Sequence, residues 1–158
     1  MKRQKKTAVI HCRGGMAVQE GTVLCISGCS GCGLCAAACR LGALKLNEEQ
    51  HPVIDRNSCV GCGLCAKACP QQLIEIVPDD YKIYAACSNK DKGALAKDQC
   101  RNSCIGCGIC EKNCPADAVH VIGNVAVIDL KRCISCGMCA MKCPRGVIRD
   151  MQGIFTAL

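Results

Sequence analysis

Cys59-Val-Gly-Cys62-Gly-Leu-Cys65-Ala-Lys-Ala-Cys69-Pro70 is the stretch on which the reading of this chain turns. Its spacing is C-x2-C-x2-C-x3-C-P, and three further stretches repeat it. They are Cys29/Cys32/Cys35/Cys39, Cys104/Cys107/Cys110/Cys114 with Pro115, and Cys133/Cys136/Cys139/Cys143 with Pro144. Three thiols two residues apart on a short irregular loop can all aim at one corner of an iron–sulfur cubane. The fourth, one helical turn on, points away from that loop and towards a second cluster. Structural zinc sites use separated pairs of ligands instead.

The cysteines also keep a longer register. Those at 12, 25, 29, 32, 35 and 39 are each matched by a cysteine 75 residues on, at 87, 100, 104, 107, 110 and 114. The run at Cys59 recurs at Cys133 with an offset of 74, one residue shorter. The 158 residues are therefore two tandem copies of one unit, the kind of self-similarity that sets a fold before any local reading. Pro78-Asp79-Asp80 is the seam, so the expected domains are 1–80 and 81–158.

Composition agrees with a metal-held chain. Hydrophobic residues make up 50%, but twenty of them are cysteines, and the chain has no Trp, one Phe and two Tyr. Without the cysteines about 37% remains, a thin core for this length, so metal has to supply what side-chain packing does not. A secreted disulfide scaffold would share the cysteine density. Thr7 to Gly21 has no apolar h-region of a signal peptide, however, and no apolar run approaches the roughly 18 residues of a membrane span. The expected location is cytoplasmic. The formal charge of +7 suggests nucleic acid until the metal is counted. Four thiolate-bound cubanes at about −2 each bring the total to about −1, so the basic balance reads as compensation and no nucleic-acid partner is expected. The basic Lys2, Arg3, Lys5 and Lys6 read as a solvated end.

Between the runs the sequence predicts β-hairpins. Ala118–Ile122 and Val125–Ile128 flank the two-residue turn Gly123-Asn124, and Ala43–Leu46 and Pro52–Ile54 flank a longer polar loop. Short helical pieces such as Ala66-Lys67-Ala68 lie between third and fourth cysteines, and Pro70, Pro115 and Pro144 stop them. Gly33, Gly63, Gly108 and Gly137 follow the second cysteine of every run, where the lack of a Cβ lets backbone amides approach a cluster closely and leaves the loop free to adopt positive φ. The fold class is α+β, built of short hairpins and short helices around clusters.

This layout resembles the two-cluster bacterial ferredoxin, twice over. In that family the fourth cysteine of each run crosses to the other cluster, and the resemblance implies four ligand sets here. These are Cys29, Cys32, Cys35 and Cys69; Cys59, Cys62, Cys65 and Cys39; Cys104, Cys107, Cys110 and Cys143; and Cys133, Cys136, Cys139 and Cys114. Arg40 stands where the other runs have proline, which bears on the local turn and on the cluster that uses Cys39.

Cys12, Cys25, Cys87 and Cys100 belong to no run. Four is the number a further [4Fe–4S] cluster needs, so they are a candidate fifth site bridging the halves. Buried small hydrophobes, or a substitute for a neighbouring ligand, are the other readings. His11 precedes Cys12 and is a candidate donor to a sulfur, against the plainer reading as a turn histidine; His51 and His120 have no partner motif.

His11-Cys-Arg-Gly-Gly15, and Cys87-Ser-Asn-Lys-Asp-Lys-Gly93 leading to Cys100, resemble the B subunit of Rnf ferredoxin:NAD oxidoreductase complexes, in its polyferredoxin portion. The hydrophobic anchor and N-terminal cluster domain of that family are expected to be missing. The resemblance implies an electron-transfer protein relaying single electrons through four [4Fe–4S] clusters, with a fifth if the remaining cysteines converge. The donor would be ferredoxin or another redox protein, and the acceptor a flavoprotein or catalytic subunit of a larger complex, with a place peripheral to a membrane complex. A subunit of a soluble 2-oxoacid oxidoreductase, hydrogenase or formate dehydrogenase is the alternative, and a cluster-stabilised interaction module the third reading. No nucleophile–base pair, phosphate loop or dinucleotide fingerprint marks a catalytic site of the chain's own.

Overall fold

A computed structural model describes residues 4–155, with only the backbone of Val23. The chain divides into two compact units. One takes the residues up to Cys12 together with Cys29–Tyr81; the other takes Arg13–Gly28 together with the chain from Lys82 onward. Lys2 and Arg3 of the expected solvated end lie outside the described residues. Lys6 opens a strand, and Lys5 Nζ reaches the Arg56 carbonyl at 3.4 Å.

The first unit is closed by its own two ends. Strand β1 (Lys6–Ile10) pairs antiparallel with the fourth strand of the unit, which follows the second cysteine run (Ile74–Pro78), in the register Lys6↔Pro78 to Ile10↔Ile74. Thr, Val and Ile favour the extended backbone, and Thr7 to Ile10 are buried. Between them lies the hairpin of Leu44–Leu46 and Pro52–Ile54, within a residue of its expected bounds. Two short helices, α1 (Leu34–Ala38) and α2 (Leu64–Ala68), each begin at a left-handed glycine, Gly33 at φ 73° and Gly63 at φ 82°. They end at the fourth cysteine, as the run spacing predicts.

The second unit repeats the plan. Ile83–Ala85 pairs with Ile148–Asp150, and Val119–Ile122 forms the hairpin with Val125–Ile128. Gly123 and Asn124 both take positive φ, 56° and 65°, as a two-residue turn matching strand twist requires. Its cluster-loop helices are Ile109–Lys112 and Met138–Lys142. Two elements were not foreseen. Gly93–Gln99 is a helix between Cys87 and Cys100. Residues 13–28 form a small ribbon, Val18–Gln19 with Thr22–Val23, tied to that helix's end by Ala17 N to the Gln99 carbonyl at 2.7 Å.

The α+β class holds: all strands pair in twos, and the helices are short. Each apolar core carries cysteines as members. Cys35 and Cys65 pack with Ala8, Leu44 and Leu73, while Cys104, Cys110 and Cys139 pack with Ile83, Val119, Val147 and Ile148. Ile148 is fully buried on the closing strand of the second unit. Ile148→Ala is expected to cost about 2–5 kcal/mol, read as a lower denaturation midpoint of the anaerobically purified protein.

Candidate metal centres

Every run disposes its second and third cysteines alike. The second of each, Cys32, Cys62, Cys107 and Cys136, is exposed, and the third, Cys35, Cys65, Cys110 and Cys139, is buried. The left-handed glycine after the second cysteine turns the chain so that the third enters the helix pointing into the core.

The fourth cysteine of each run lies with the other run of its unit. Cys69 lines one cavity with Cys29, Cys32 and Cys35. Cys39 lines another, of about 210 Å³, with Cys59, Cys62 and Cys65. Cys143 joins Cys104, Cys107 and Cys110. Cys114 is close enough to Cys139 to raise its pKa, as is Cys133. Among the described residues no three His, Cys, Asp or Glu side chains close to the distances of a single bound ion.

The donor set suits a thiolate-ligated cluster. Backbone N–H groups point at several of the sulfurs: Gly31 to Cys29 and Ser135 to Cys133, each at 3.4 Å, at the start of a run. At the ends, Leu73 donates to Cys69 at 3.4 Å, Ala118 to Cys114 at 3.2 Å and Val147 to Cys143 at 3.3 Å. Such bonds favour the charged sulfur and tune a cluster's potential. Without metal, burial pushes the Cys110 thiol up to about 11 and Cys139 to about 12, reinforced by neighbouring thiols. Thiols that are neutral near pH 7 must lose their protons when metal binds.

Arg40 leaves the turn unchanged. Gly42 N bonds the Cys39 carbonyl at 3.1 Å, as Gln72 N bonds that of Cys69 at 3.1 Å and Gly146 N that of Cys143 at 3.2 Å. The difference is at sulfur: among the described residues, Cys39 is the fourth-position cysteine without an N–H donor at the i+4 position.

The remaining four cysteines take distinct places. Cys12 Sγ accepts the Cys29 N–H at 3.4 Å in the first unit, and Cys87 Sγ accepts the Cys104 N–H at 3.3 Å in the second. These two bonds are equivalent across the duplication, and each thiol raises the pKa of its neighbour. Cys25 and Cys100 are buried in the second unit, with Cys100 Sγ 3.5 Å from the Gly14 carbonyl. His11 bonds Glu75 at 2.8 Å, so a carboxylate is the observed partner of its Nε2. His120 reaches Glu111 at 3.2 Å, and burial lowers the pKa of His51.

The stretch after Cys87 is a positioning device. Asn89, buried, donates to Gln99 at 2.7 Å, and Gln99 to Asp91 at 2.9 Å, while Asn89 N points at Cys87 Sγ. The network fixes the helix between Cys87 and Cys100. From the other side, Arg145, just after the fourth run, donates to the Cys100, Arg101 and Ser103 carbonyls at 3.0, 2.8 and 3.2 Å. It locks the entry to Cys104 against the exit from Cys143. Neither role has a motif in the sequence beyond the Cys-Ser-Asn-Lys-Asp-Lys-Gly stretch itself.

With this geometry, residues 28–73, 58–118 and 103–148 match models of the 4Fe–4S dicluster domain, and the chain belongs to that family. Its cofactors are [4Fe–4S] clusters and its class of function is iron–sulfur electron transfer. The resemblance to the Rnf B subunit holds as well. Over 120 residues the chain is 39% identical to the B subunit of the Na+-translocating ferredoxin:NAD+ oxidoreductase complex of Acetobacterium woodii, covering 76% of this chain and 36% of the relative. The proton-translocating counterpart of Clostridium ljungdahlii is 42% identical over 121 residues, covering 76% and 43%. The chain thus spans less than half the length of these relatives. Among solved structures, the formate dehydrogenase–heterodisulfide reductase–formylmethanofuran dehydrogenase complex of Methanospirillum hungatei matches 77% of this chain and 51% of its own. The identity is 19% and the TM-score 0.29.

Arg145→Ala is expected to free three carbonyls beside Cys100 and cost about 2 kcal/mol. The measurement is the rate at which a chelator strips iron from the freshly loaded protein, which should rise severalfold with initial iron unchanged.

Proposed function

We propose that the chain is a relay with four [4Fe–4S] clusters, two in each tandem domain (1–80 and 81–158), each cluster completed by a cysteine from the other run of its domain. The observation that carries this is the placement of Cys69 with Cys29, Cys32 and Cys35, and of Cys143 with Cys104, Cys107 and Cys110. A cubane gains and loses single electrons without breaking a bond to its ligands, which is the chemistry the bound clusters supply.

The residues do the rest. The buried third cysteines anchor each site to an apolar core, and the exposed second cysteines bring its edge to the surface, where electrons can be exchanged with a partner. Arg149, almost wholly buried, and Arg13 both flank Gly146, three residues beyond Cys143; they place positive charge near a site whose bound cluster is anionic.

The partners follow from the relatives. A ferredoxin-like donor is proposed, with a flavin- or metal-containing subunit as acceptor, in a complex at the cytoplasmic face of a membrane. The relatives' names tie them to ion-translocating ferredoxin:NAD+ oxidoreductases. Among the described residues no helix is long and apolar enough to cross a membrane, and the proposed attachment of this part of the chain is peripheral.

The crossed ligation has a direct test. Cys29→Ser with Cys69→Ser should remove one cluster, leaving about 12 of about 16 irons, because both serve one site. A loss of two clusters, leaving about 8, would overturn the crossing. Wild-type iron near 20 per chain would assign Cys12, Cys25, Cys87 and Cys100 to a fifth cluster. For the relay itself, anaerobic redox titration should reduce the clusters at the potentials of low-potential ferredoxins; clusters inert there would leave only the structural role.

A further inference from the structure

In three runs the residue before the second cysteine is a left-handed glycine pressed by neighbouring backbone. A Cβ on Gly31 would stand 2.9 Å from the Gln50 carbonyl oxygen, and one on Gly61 2.7 Å from the Lys6 carbonyl carbon. One on Gly106 would be 3.1 Å from the Asn124 oxygen. The fourth run has Ser135 there, at φ 55°, and so carries the Cβ the other three exclude. Its neighbour Ile134 is 65% exposed, as Val60 is at 59% in the second run.

Cover comes from a side chain. The Phe155 ring lies so close to Gly137 that a Cβ built there would overlap three of its atoms. At Gly33 and Gly63 the corresponding neighbours, Leu46 and Ile76, would meet a Cβ at 3.3 and 3.8 Å, and at Gly108 nothing lies within 4 Å. The backbone that carries the ring is held by one carboxylate. Asp150, 1% exposed, accepts the N–H of Ile154 at 2.6 Å and of Phe155 at 2.9 Å on Oδ2, and that of Gln152 at 2.9 Å on Oδ1. These bonds coil residues 151–155 back over the fourth loop.

We propose that Phe155, pinned by Asp150, is a positioning residue of the fourth site (Cys114, Cys133, Cys136, Cys139), shielding its loop from water and keeping its potential low. The inference rests on the proposed function, in which those cysteines hold a cluster. Reduction takes a thiolate-bound cubane from about −2 to about −3, and water favours the more charged state, so uncovering the site raises its potential. Among the glycines that follow the second cysteine of each run, Gly137 is the one with an aromatic ring pressed against it.

The test compares wild type with Phe155→Ala and Phe155→Leu, each loaded and handled anaerobically. Expected for Phe155→Ala is unchanged iron, one cluster moved to more positive potential in an EPR-monitored titration, and severalfold faster bleaching in air of about a quarter of the cluster absorbance. Phe155→Leu should fall between, and it carries the comparison if the alanine variant fails to hold iron. Asp150→Asn should shift the same cluster, although it also removes a charge, so the neutral variants decide. Titration and bleaching curves that superimpose on wild type at full iron content would overturn the strap alone. A wild type holding fewer than four clusters would instead overturn the four-cluster relay on which it rests.

Discussion

Each unit depends on one exchange: the last cysteine of either run sits among the first three of the other. Sulfur is drawn in from both ends of a fold whose aliphatic residues are too few to close it. The strands that seal each unit, Lys6–Ile10 on Ile74–Pro78 and Ile83–Ala85 on Ile148–Asp150, contribute to the cores against which the exchanged thiols pack. Ala8 and Ile10 share a core with Cys35 and Cys65, and Ile83 and Ile148 share one with Cys110 and Cys139. With clusters held as proposed, packing and metal chemistry use the same few positions, and losing either undoes both.

Duplication has kept this plan while letting the surroundings diverge. The Cys12–Cys29 and Cys87–Cys104 contacts survive in both halves, as do the closing strands and central hairpins. What differs is how each loop is supported. Arg145 braces the approach to Cys104 where the first unit has Gln71, and Arg40 replaces proline without altering its turn. Such differences change the donors and charge near otherwise equivalent sites, and potentials respond to both.

The local plan was largely legible. Gly123-Asn124 announced its hairpin, because few residue pairs accept two positive φ angles in succession, and the run spacing announced the helices and their ends. The pairing of the two ends of each unit was not, since β1 and its partner are more than sixty residues apart and neither alternates in polarity. The helix Gly93–Gln99 hid behind a glycine and polar residues whose use, the Asn89–Gln99–Asp91 network, emerges only when the chain folds back. Phe155 gave no signal: a lone aromatic near the chain's end says nothing of Gly137 until Asp150 coils the intervening turn.

The crossing also imposes a schedule on synthesis. Cys29, Cys32 and Cys35 leave the ribosome well before Cys69, which lines the same cavity, so the first proposed site has only three of its sulfurs while the second run is still being made. Once Cys69 and Ile74–Pro78 have emerged, the cysteine runs and closing strands of the first unit are all present. The second unit must then wait in the same way for Cys143. Residues 13–28, made early, find their place only with chain from Lys82 onward. On the proposed ligand sets, no site of a half has all four of its sulfurs until the second run of that half has been made.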